Sequence, residues 1–264
     1  MNWPALLLLA LAGPAWGACT RAITVPVSPV GMSVIVNGNA VSGAFPELLE
    51  RLGEKAGCQF VWSVVPRIRL EMMFEEGRAD LLLAATRSEQ RDLSGLFVPL
   101  VASRASLISI EKGQATVASL AQLLERPHLR VAVVRGYDYG PAYREISRKL
   151  AQQKRLYLEP DALSVARLLA GGMADATILP TTSIVGAIAL DARVAGLKER
   201  LRFEPLEELP WSRGGIYISN KSLPAADRAT LEQALMAAGR SGALYQAYLK
   251  YFSAEVLAGS TRPL

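Results

Sequence analysis

A short polar segment in the first third of the chain has the residue types that bind a carboxylate. Thr86, Ser88 and Arg91 come directly after residues 79–84, which read as a buried strand. A planar guanidinium donates two parallel hydrogen bonds to a carboxylate, and hydroxyl groups add further donors. The spacing therefore predicts a site for an acid group, with Arg91 as its anchor. The alternative is that Arg91 is a solvated surface arginine like its neighbour Arg87.

A second pair of cations lies at the start of a predicted helix. Arg67 and Arg69 follow Pro66, which suits the beginning of a helix. Cations at a helix N-terminus oppose the helix dipole, so some compensation of their charge is expected. A second acid group of a ligand would compensate the charge of Arg67. The alternative is that Arg67 and Arg69 are both solvated.

A third candidate segment joins a predicted strand to a predicted helix. It consists of Gly136, Tyr137 and Asp138. Backbone N–H groups at the start of a helix suit an anion, so the segment is a candidate for ligand binding. The alternative is an ordinary turn between a strand and a helix.

The histidine and cysteine content excludes most metal sites and several classes of enzyme. The sequence contains one histidine, His128, and two cysteines, Cys19 and Cys58. Zinc sites usually combine several of these residues, and histidine is the commonest general acid and base. We therefore expect no metal, no cofactor and no catalytic residue.

Composition and charge indicate a folded protein without a nucleic-acid partner. Hydrophobic residues make up 51% of the 264 residues and charged residues 20%, which is typical of a folded chain. Lys plus Arg number 29 and Asp plus Glu 24, which gives a net charge of +5. These charges are scattered, whereas nucleic-acid-binding proteins usually concentrate cations in one patch.

Residues 1–18 have the layout of a signal peptide. The apolar run 5–12 is too short to span a bilayer, and Gly13 and Pro14 interrupt it before a group of small residues. Cleavage after Gly17 and cleavage after Ala18 both stay open. We therefore expect an exported, periplasmic protein.

Export changes the interpretation of the two cysteines. In an oxidising compartment Cys19 and Cys58 can form a disulfide, which would join the N-terminus of the exported chain to the end of the first helix. A lipid anchor on Cys19 is a second possibility, and it would leave Cys58 unpaired. A pair of free thiols is the third.

The elements that must position these residues form a repeated α/β pattern. Gly77-Arg78-Ala79-Asp80 and Gly172-Met173-Ala174-Asp175 each follow a predicted helix and precede an apolar strand. Alternating strands and helices favour two α/β lobes with mainly parallel sheets, which bind ligands at the carboxyl ends of their strands. The predicted strands are 22–27, 59–65, 79–84, 129–134, 156–158, 174–179 and 215–219, and the predicted helices are 45–56, 66–76, 120–124, 141–153, 162–170, 223–238 and 242–252.

Five motifs occur in the order found in one protein family. They are Ser42-Gly43-Ala44-Phe45-Pro46-Glu47-Leu48, Gly77-Arg78-Ala79-Asp80, Thr86-Arg87-Ser88-Glu89-Gln90-Arg91 followed by Phe97-Val98-Pro99, Val133-Val134-Arg135-Gly136-Tyr137, and Ser241-Gly242-Ala243-Leu244. With them, residues 22–252 resemble the periplasmic solute-binding proteins of the amino-acid-binding type, bacterial extracellular solute-binding protein family 3.

The resemblance implies a two-lobe clamp of the periplasmic-binding-protein type. Lobe 1 would comprise residues 22–106 and 214–264, and lobe 2 residues 110–208, with hinges near 104–109 and 213–218. Such a protein closes on a small anionic or zwitterionic solute and delivers it to a membrane transporter. The resemblance also implies that Arg91 binds the ligand's α-carboxylate with help from Thr86 and Ser88, and we expect a monomer.

Two departures from the family pattern bear on the ligand. The family's amine-binding aspartate would fall five positions after Asp175, where this chain has Pro180, which cannot pair with an ammonium group. Residues 29–37 also lack the aromatic pair that usually covers an amino-acid side chain. The expected ligand is a small carboxylate-bearing solute, an amino acid or a related organic acid, and these two departures disfavour a plain α-amino acid.

Two further functions fit the same resemblance. Some relatives are periplasmic dehydratases of cyclohexadienyl acids, for which Glu47 or Asp138 would have to supply the acid group. The second of these functions is that of a ligand-binding partner of a membrane sensor. Detection of a dehydration product would establish the first.

Overall fold

The computed structural model describes residues 18–110 and 116–264. The predicted signal peptide, residues 1–18, lies outside the described residues except for Ala18. The described strands are β1 Ile23–Val27, β2 Ile35–Asn37, β3 Ala40–Ser42, β4 Phe60–Val64, β5 Leu81–Thr86, β6 Gly95–Ser103, β7 Ser106–Ile110, β8 Val131–Val134, β9 Leu156–Glu159, β10 Ala176–Leu179, β11 Leu201–Glu204, β12 Ser212–Ser219 and β13 Thr261–Arg262.

Helices cover the regions where apolar spacing predicts them. The described helices are α1 Ala44–Ala56, α2 Arg67–Glu75, α3 Glu89–Asp92, α4 Leu120–Leu124, α5 Pro141–Gln152, α6 Ala162–Ala170, α7 Thr181–Ala189, α8 Ala225–Arg240, α9 Ala243–Tyr248 and α10 Ala254–Ser260, with a 3-10 helix over Ala192–Arg200. Within the described ranges, none of these helices combines the length and the hydropathy needed to cross a membrane.

Apart from the short antiparallel pair β2–β3, the described strands form two groups, which we call strand groups 1 and 2. Strand group 1 contains a sheet of order β13–β6–β12–β5 and, beside it, the parallel pair β1–β4. These two parts meet where the Asp80 N–H donates to the Thr24 carbonyl. Strand group 2 is a single sheet of order β11–β7–β10–β8–β9. Each group has helices packed against it, as the repeated α/β pattern predicts.

The chain passes between the groups twice, at residues 104–105 and 205–211. On one side of these crossings β6 pairs antiparallel with β12, and on the other side β7 pairs antiparallel with β11. Strand directions are therefore more mixed than the sequence pattern predicts. The parallel pairs β1–β4, β8–β9 and β8–β10 occur where a helix connects strands on one sheet, which is what a parallel connection requires.

The repeated Gly-x-x-Asp motif has one structural role in both groups. Asp80 accepts a hydrogen bond from the Thr24 N–H and pairs with Arg21 at 2.6 Å. Asp175 accepts hydrogen bonds from the backbone N–H of Arg130 at 3.0 Å and from its Nε at 2.9 Å. In each group the aspartate before one strand thus holds the start of a neighbouring strand.

Cys19 and Cys58 form the predicted disulfide. The bond joins the beginning of the described chain to the end of α1, where Gly57 has a left-handed backbone with φ of 67°. A sulfur atom in a disulfide is not available for a thioether lipid. The structure therefore favours neither a lipid anchor on Cys19 nor a pair of free thiols.

Helix α7 of strand group 2 packs closely against the loop 30–34 of strand group 1. A Cβ atom placed on Gly186 would lie 2.7 Å from the Met32 nitrogen, and one on Gly31 would lie 3.2 Å from the Ser183 carbonyl oxygen. Small residues at both positions let the two backbones touch. One continuous apolar cluster runs through this contact, with Val34 on one side and Ile184 on the other.

The C-terminal segment contacts both strand groups. The Thr181 hydroxyl of α7 donates to the Val256 carbonyl of α10 at 2.7 Å, and β13 pairs with β6. Neither α7 nor α10 is predicted from the sequence. Nearly every residue of α7 is buried, so it lacks the amphipathic spacing that indicates a helix, and α10 is too short to show a period.

Candidate functional site

A cavity of about 110 Å³ lies between the two strand groups. One ordered water needs about 10–15 Å³ on the same scale, so the cavity has room for a small solute. Both groups contribute to its wall. The lining residues that bear on its chemistry are Arg67, Thr86, Arg91, Arg104, Gly136, Tyr137, Asp138, Pro180, Thr182 and Ser183.

A bulge in β5 directs the end of this strand into the cavity. Ala84 has a left-handed backbone with φ of 51°, which is unusual for alanine, and the pairing of β5 with β12 shifts register between Leu82 and Ala85. Ala84, Ala85 and Thr86 all line the cavity. The predicted site residue Thr86 therefore lies on the cavity wall.

Arg91 lies on the cavity wall, and three hydrogen bonds to the protein hold its guanidinium. Its Nε and Nη2 donate to the two carboxylate oxygens of Glu71 at 3.0 and 2.9 Å, and its Nη1 donates to the Thr86 carbonyl at 2.7 Å. A guanidinium has five N–H donors. Two of them therefore stay available to a ligand, as far as the described residues show.

Arg67 shares the same carboxylate. Its Nη2 lies 2.6 Å from the Glu71 Oε1, and its Nη1 is 3.5 Å from the Leu83 carbonyl. The Nε of Arg67 is buried and has no hydrogen-bond partner among the described residues. Arg67 thus has donors that a group inside the cavity could use, whereas Arg69 is exposed and does not line the cavity.

Glu71 is the site residue that the sequence interpretation missed. Burial by itself would raise the pKa of Glu71, but the charges and hydrogen bonds of Arg67 and Arg91 outweigh burial and lower it. Glu71 lies four positions after Arg67 on α2, a spacing at which helical side chains meet. That spacing is the signal from which Glu71 could have been predicted. Its carboxylate supplies the negative charge expected to compensate cations at the start of this helix.

Ser88 does not line the cavity. Its hydroxyl accepts a hydrogen bond from the Arg91 N–H at 3.3 Å and so caps the short helix α3. Its backbone N–H donates to the Tyr217 hydroxyl at 2.9 Å. The structure therefore gives Ser88 a role in placing the backbone of Arg91, while Thr86 and Arg91 meet at the cavity.

Gly136, Tyr137 and Asp138 line the cavity but do not begin a helix. Helix α5 starts at Pro141, and the Tyr137 N–H donates to the Val134 carbonyl, so it is not free for an anion. Asp138 accepts hydrogen bonds from the Gly140 N–H and from Arg144. The helix begins at Pro141, where the sequence predicts it, so residues 136–138 lie in the loop before its N-terminus.

Tyr137 presents an aromatic surface to the cavity. Its ring packs edge-on against Tyr139, with 6.2 Å between the ring centroids. Burial raises the pKa of Tyr137, so its phenol is neutral at physiological pH. The segment can therefore contribute shape and a neutral hydroxyl to the site.

A second polar region of the cavity lies at the N-terminus of α7. Pro180 precedes the helix, and Thr182 and Ser183 in its first turn line the cavity. Arg104, at the first crossing, lines the cavity too, with its Nε donating to the Gly259 carbonyl at 3.1 Å. None of these three lining side chains belongs to a motif that the sequence singles out for binding.

Glu47, considered from the sequence as an acid group, lies away from the cavity. It pairs with Lys250 at 2.9 Å and accepts a hydrogen bond from Tyr251, and it does not line the cavity. Within the described ranges, no cluster of His, Cys, Asp and Glu is arranged to hold a metal ion. The chemistry of the site is therefore that of arginines, hydroxyl groups and one shared carboxylate.

Comparison with solved structures identifies the fold. The protein is similar to EhuB in complex with hydroxyectoine, with a TM-score of 0.69 and 17% identity, covering 90% of this chain and 91% of that one. It is similar to the arginine-, lysine-, histidine-binding protein ArtJ from Geobacillus stearothermophilus, with a TM-score of 0.66 and 14% identity, covering 88% and 95%.

A sensor domain has a similar structure as well. It is a histidine kinase sensor domain with similarity to periplasmic binding proteins, with a TM-score of 0.68 and 19% identity, covering 88% of this chain and 96% of that one. No protein-family model matches the chain, and no curated protein matches it. The predicted fold is confirmed: the chain has the two-lobe α/β fold of the periplasmic binding proteins.

Proposed function

We propose that this protein is a receptor that captures a small carboxylate-bearing solute between its two lobes and presents it to a membrane transporter. Strand groups 1 and 2 would be the cores of lobe 1, residues 22–106 with 214–264, and of lobe 2, residues 110–208. One observation carries the proposal. Arg67 and Arg91 stand on the wall of an interlobe cavity with N–H donors that the described residues leave unused.

The nature of the structural neighbours supports a binding role. The EhuB structure is a complex with hydroxyectoine, and ArtJ is described as an arginine-, lysine-, histidine-binding protein. Another neighbour is a substrate-binding protein of an amino-acid ABC transporter. The Cys19–Cys58 disulfide supports an exported, periplasmic location, because disulfides persist in oxidising compartments.

A sensor function is the second candidate. The similarity to a histidine kinase sensor domain favours it. The two functions differ in the membrane protein that the ligand-bound receptor contacts, which is a transporter in one case and a sensor in the other. Loss of solute uptake in cells that lack this protein supports the transporter, whereas an intact uptake with a lost transcriptional response supports the sensor.

Catalysis has less support than binding. A dehydratase needs a carboxyl group that can give or take a proton, but Asp138 pairs with Arg144 at 2.6 Å. Glu71 is held ionised by two arginines, which makes it a poor general acid. We therefore propose that the site binds its ligand without turnover.

A thermal-shift screen followed by one substitution tests the proposal. Amino acids, monocarboxylates, dicarboxylates, keto acids and polyamines are the probes, and a ligand at 100 times its Kd adds about 2.7 kcal/mol to stability. Arg91→Ala should weaken binding of the best acid about a hundredfold, since a desolvated charge pair loses about 3 kcal/mol when one partner is removed. Arg91→Lys should recover only part of the affinity, because an ammonium lacks the two parallel N–H donors that a guanidinium offers to a carboxylate.

Arg87→Ala is the matched control. Arg87 is 70% exposed, pairs with Asp92 and does not line the cavity, so its removal should leave affinity unchanged. Unfolding curves without ligand show whether each variant is folded. Equal affinity of the wild type and a folded Arg91→Ala variant for the best acid would contradict the proposed site.

A further inference from the structure

The interlobe cavity has a second region suited to an acid group, besides Arg67 and Arg91. We propose that the solute is a short dicarboxylate without an ammonium group, and that its second carboxylate binds at the N-terminal turn of α7 beside Arg104. This inference rests on the proposed function and names the class of ligand. Four observations carry it.

The first observation is the open N-terminus of α7. Its N-cap residue, Pro180, has no side chain that can accept a hydrogen bond, so no side-chain cap is formed. The Ser183 N–H bonds to the Pro180 carbonyl, while among the described residues the N–H groups of Thr181 and Thr182 have no backbone acceptor. Free N–H groups and the helix dipole both favour an anion here.

The second observation is a pair of hydroxyl groups without a protein partner, on two residues that are otherwise buried. Thr182 is 7% exposed and Ser183 is 9% exposed, and both line the cavity. No hydrogen bond involves either hydroxyl within the described ranges. Neither hydroxyl oxygen is among the fully buried atoms, and both residues line the cavity, so these hydroxyls are free to bond a polar group of a solute there.

The third observation is the position of Arg104. Its backbone N–H donates to the Ser260 carbonyl at 3.0 Å, and the Ser260 hydroxyl lies 2.5 Å from the Thr181 hydroxyl at the start of α7. Arg104 and the α7 N-terminus therefore flank the same C-terminal segment. Its guanidinium also stacks on Trp211, with 4.8 Å to the ring centroid, and Arg104 is one of the residues that line the cavity.

The fourth observation concerns charge. The carboxylates near the cavity are already paired, Glu71 with two arginines and Asp138 with Arg144. A ligand ammonium would therefore find no unpaired carboxylate on the described cavity wall. Three cavity arginines against Glu71 leave an excess of positive charge that a dianion balances better than a zwitterion.

Calorimetry with a matched set of acids tests the inference. Malonate, succinate and glutarate are the dicarboxylate probes, butyrate removes one carboxylate from succinate, and aspartate adds an ammonium to it. The best dicarboxylate should bind at least about tenfold tighter than butyrate, which leaves one region empty, and tighter than aspartate, whose ammonium finds no unpaired carboxylate.

Substitutions at α7 separate the second region from the first. Thr182→Val should weaken dicarboxylate binding about tenfold and leave butyrate binding unchanged. Thr177→Val is the matched control, because the Thr177 hydroxyl has no partner among the described residues either, but Thr177 does not line the cavity. Pro180→Asp should abolish dicarboxylate binding and shift preference toward aspartate, since a carboxylate then occupies the helix N-terminus.

The outcomes distinguish this inference from the proposed function. If butyrate or aspartate binds in an Arg91-dependent way and matches or exceeds every dicarboxylate, the inference is wrong and the receptor function stands. Dicarboxylate binding that is unchanged by both Thr182→Val and Pro180→Asp would also overturn it. If no acid binds at all, the proposed function fails together with the inference.

Discussion

At the scale of residues, Glu71 joins two candidate sites into one. Arg67 and Arg91 lie on different helices, α2 and α3, and each contacts a carboxylate oxygen of Glu71. The shared carboxylate fixes the direction of both guanidinium groups while using only part of their donors. A preorganised pair of this kind loses little side-chain entropy when a ligand carboxylate arrives.

Glu71→Gln should show this role as a pH-dependent loss of stability. Burial opposes ionisation, but Arg67 and Arg91 lower the pKa of Glu71 below its ordinary value. Its contribution to stability is therefore complete above the unfolded pKa of about 4.3 and is lost as the pH falls through the lower folded pKa. We expect the variant to be about 2 kcal/mol less stable than the wild type at pH 7.

Urea unfolding of both proteins from pH 7 to pH 3 measures this difference. The difference in the free energy of unfolding should shrink toward the acid end of the range. Glu54→Gln is the control, because Glu54 is exposed and has no ion pair among the described residues. A difference between wild type and Glu71→Gln that is constant with pH would contradict the assigned role.

At the scale of elements, α7 connects the cavity to the contact between lobes. Its first turn lines the cavity, and its later residues touch loop 30–34. The contact depends on the absence of a side chain at Gly186, since a Cβ atom there would lie 2.7 Å from the Met32 nitrogen. A backbone atom cannot move aside cheaply, so a larger residue must push the lobes apart.

Gly186→Ala should therefore weaken ligand binding without unfolding the protein. Alanine has a higher helix propensity than glycine, so α7 itself should persist. The new methyl group should cost about 1–3 kcal/mol in the closed form, which lowers the affinity for the best acid ligand by roughly tenfold or more.

Calorimetry and small-angle scattering of the variant check this expectation. With saturating ligand the radius of gyration should exceed that of the wild type. Gly196→Ala is the matched control, because a Cβ atom there would meet no described atom within 4 Å. Unchanged affinity and an unchanged radius for Gly186→Ala would show that the contact does not govern closure.

At the scale of the whole molecule, three links tie distant parts of the chain together. The first link is the Cys19–Cys58 disulfide, which ties the beginning of the described chain to the end of α1. The second is the pair of crossings between the lobes, where β6 pairs with β12 and β7 pairs with β11. The C-terminal segment is the third link, because α10 contacts α7 while β13 pairs with β6. Trp211 lies between Arg104 and Arg262 at this place, with guanidinium carbons 4.8 and 4.2 Å from its ring centroid.

Reduction of the disulfide should lower global stability. The bond closes a loop with a sequence separation of 39, for which the chain-entropy relation gives about 3–4 kcal/mol. The double variant Cys19→Ser/Cys58→Ser should unfold at a correspondingly lower urea concentration than the oxidised protein. Thiol labelling of the native oxidised protein at both cysteines, or an unchanged midpoint under reduction, would contradict this expectation.

Much of the fold could be predicted from local patterns. Helices α1, α5 and α6 follow apolar spacing, and their predicted ends agree with the structure within a residue. Helix α7 could not be predicted in this way, because burial on all sides removes the amphipathic period. The segment 136–138 was expected to offer N–H groups at a helix start, but it lies in the loop before Pro141 and the Tyr137 N–H bonds to the Val134 carbonyl, a contact that the sequence pattern does not show.

The sequence by itself indicated many of the strands and helices, the repeated α/β pattern and a possible Cys19–Cys58 disulfide, since periodicity and short motifs are local properties. Only the tertiary structure decided which charges meet. Glu71 and Arg91 are 20 positions apart, and the hydroxyls of Thr181 and Ser260 are 79 apart. Such contacts depend on the direction in which whole elements pack, and no pattern within one element records that direction.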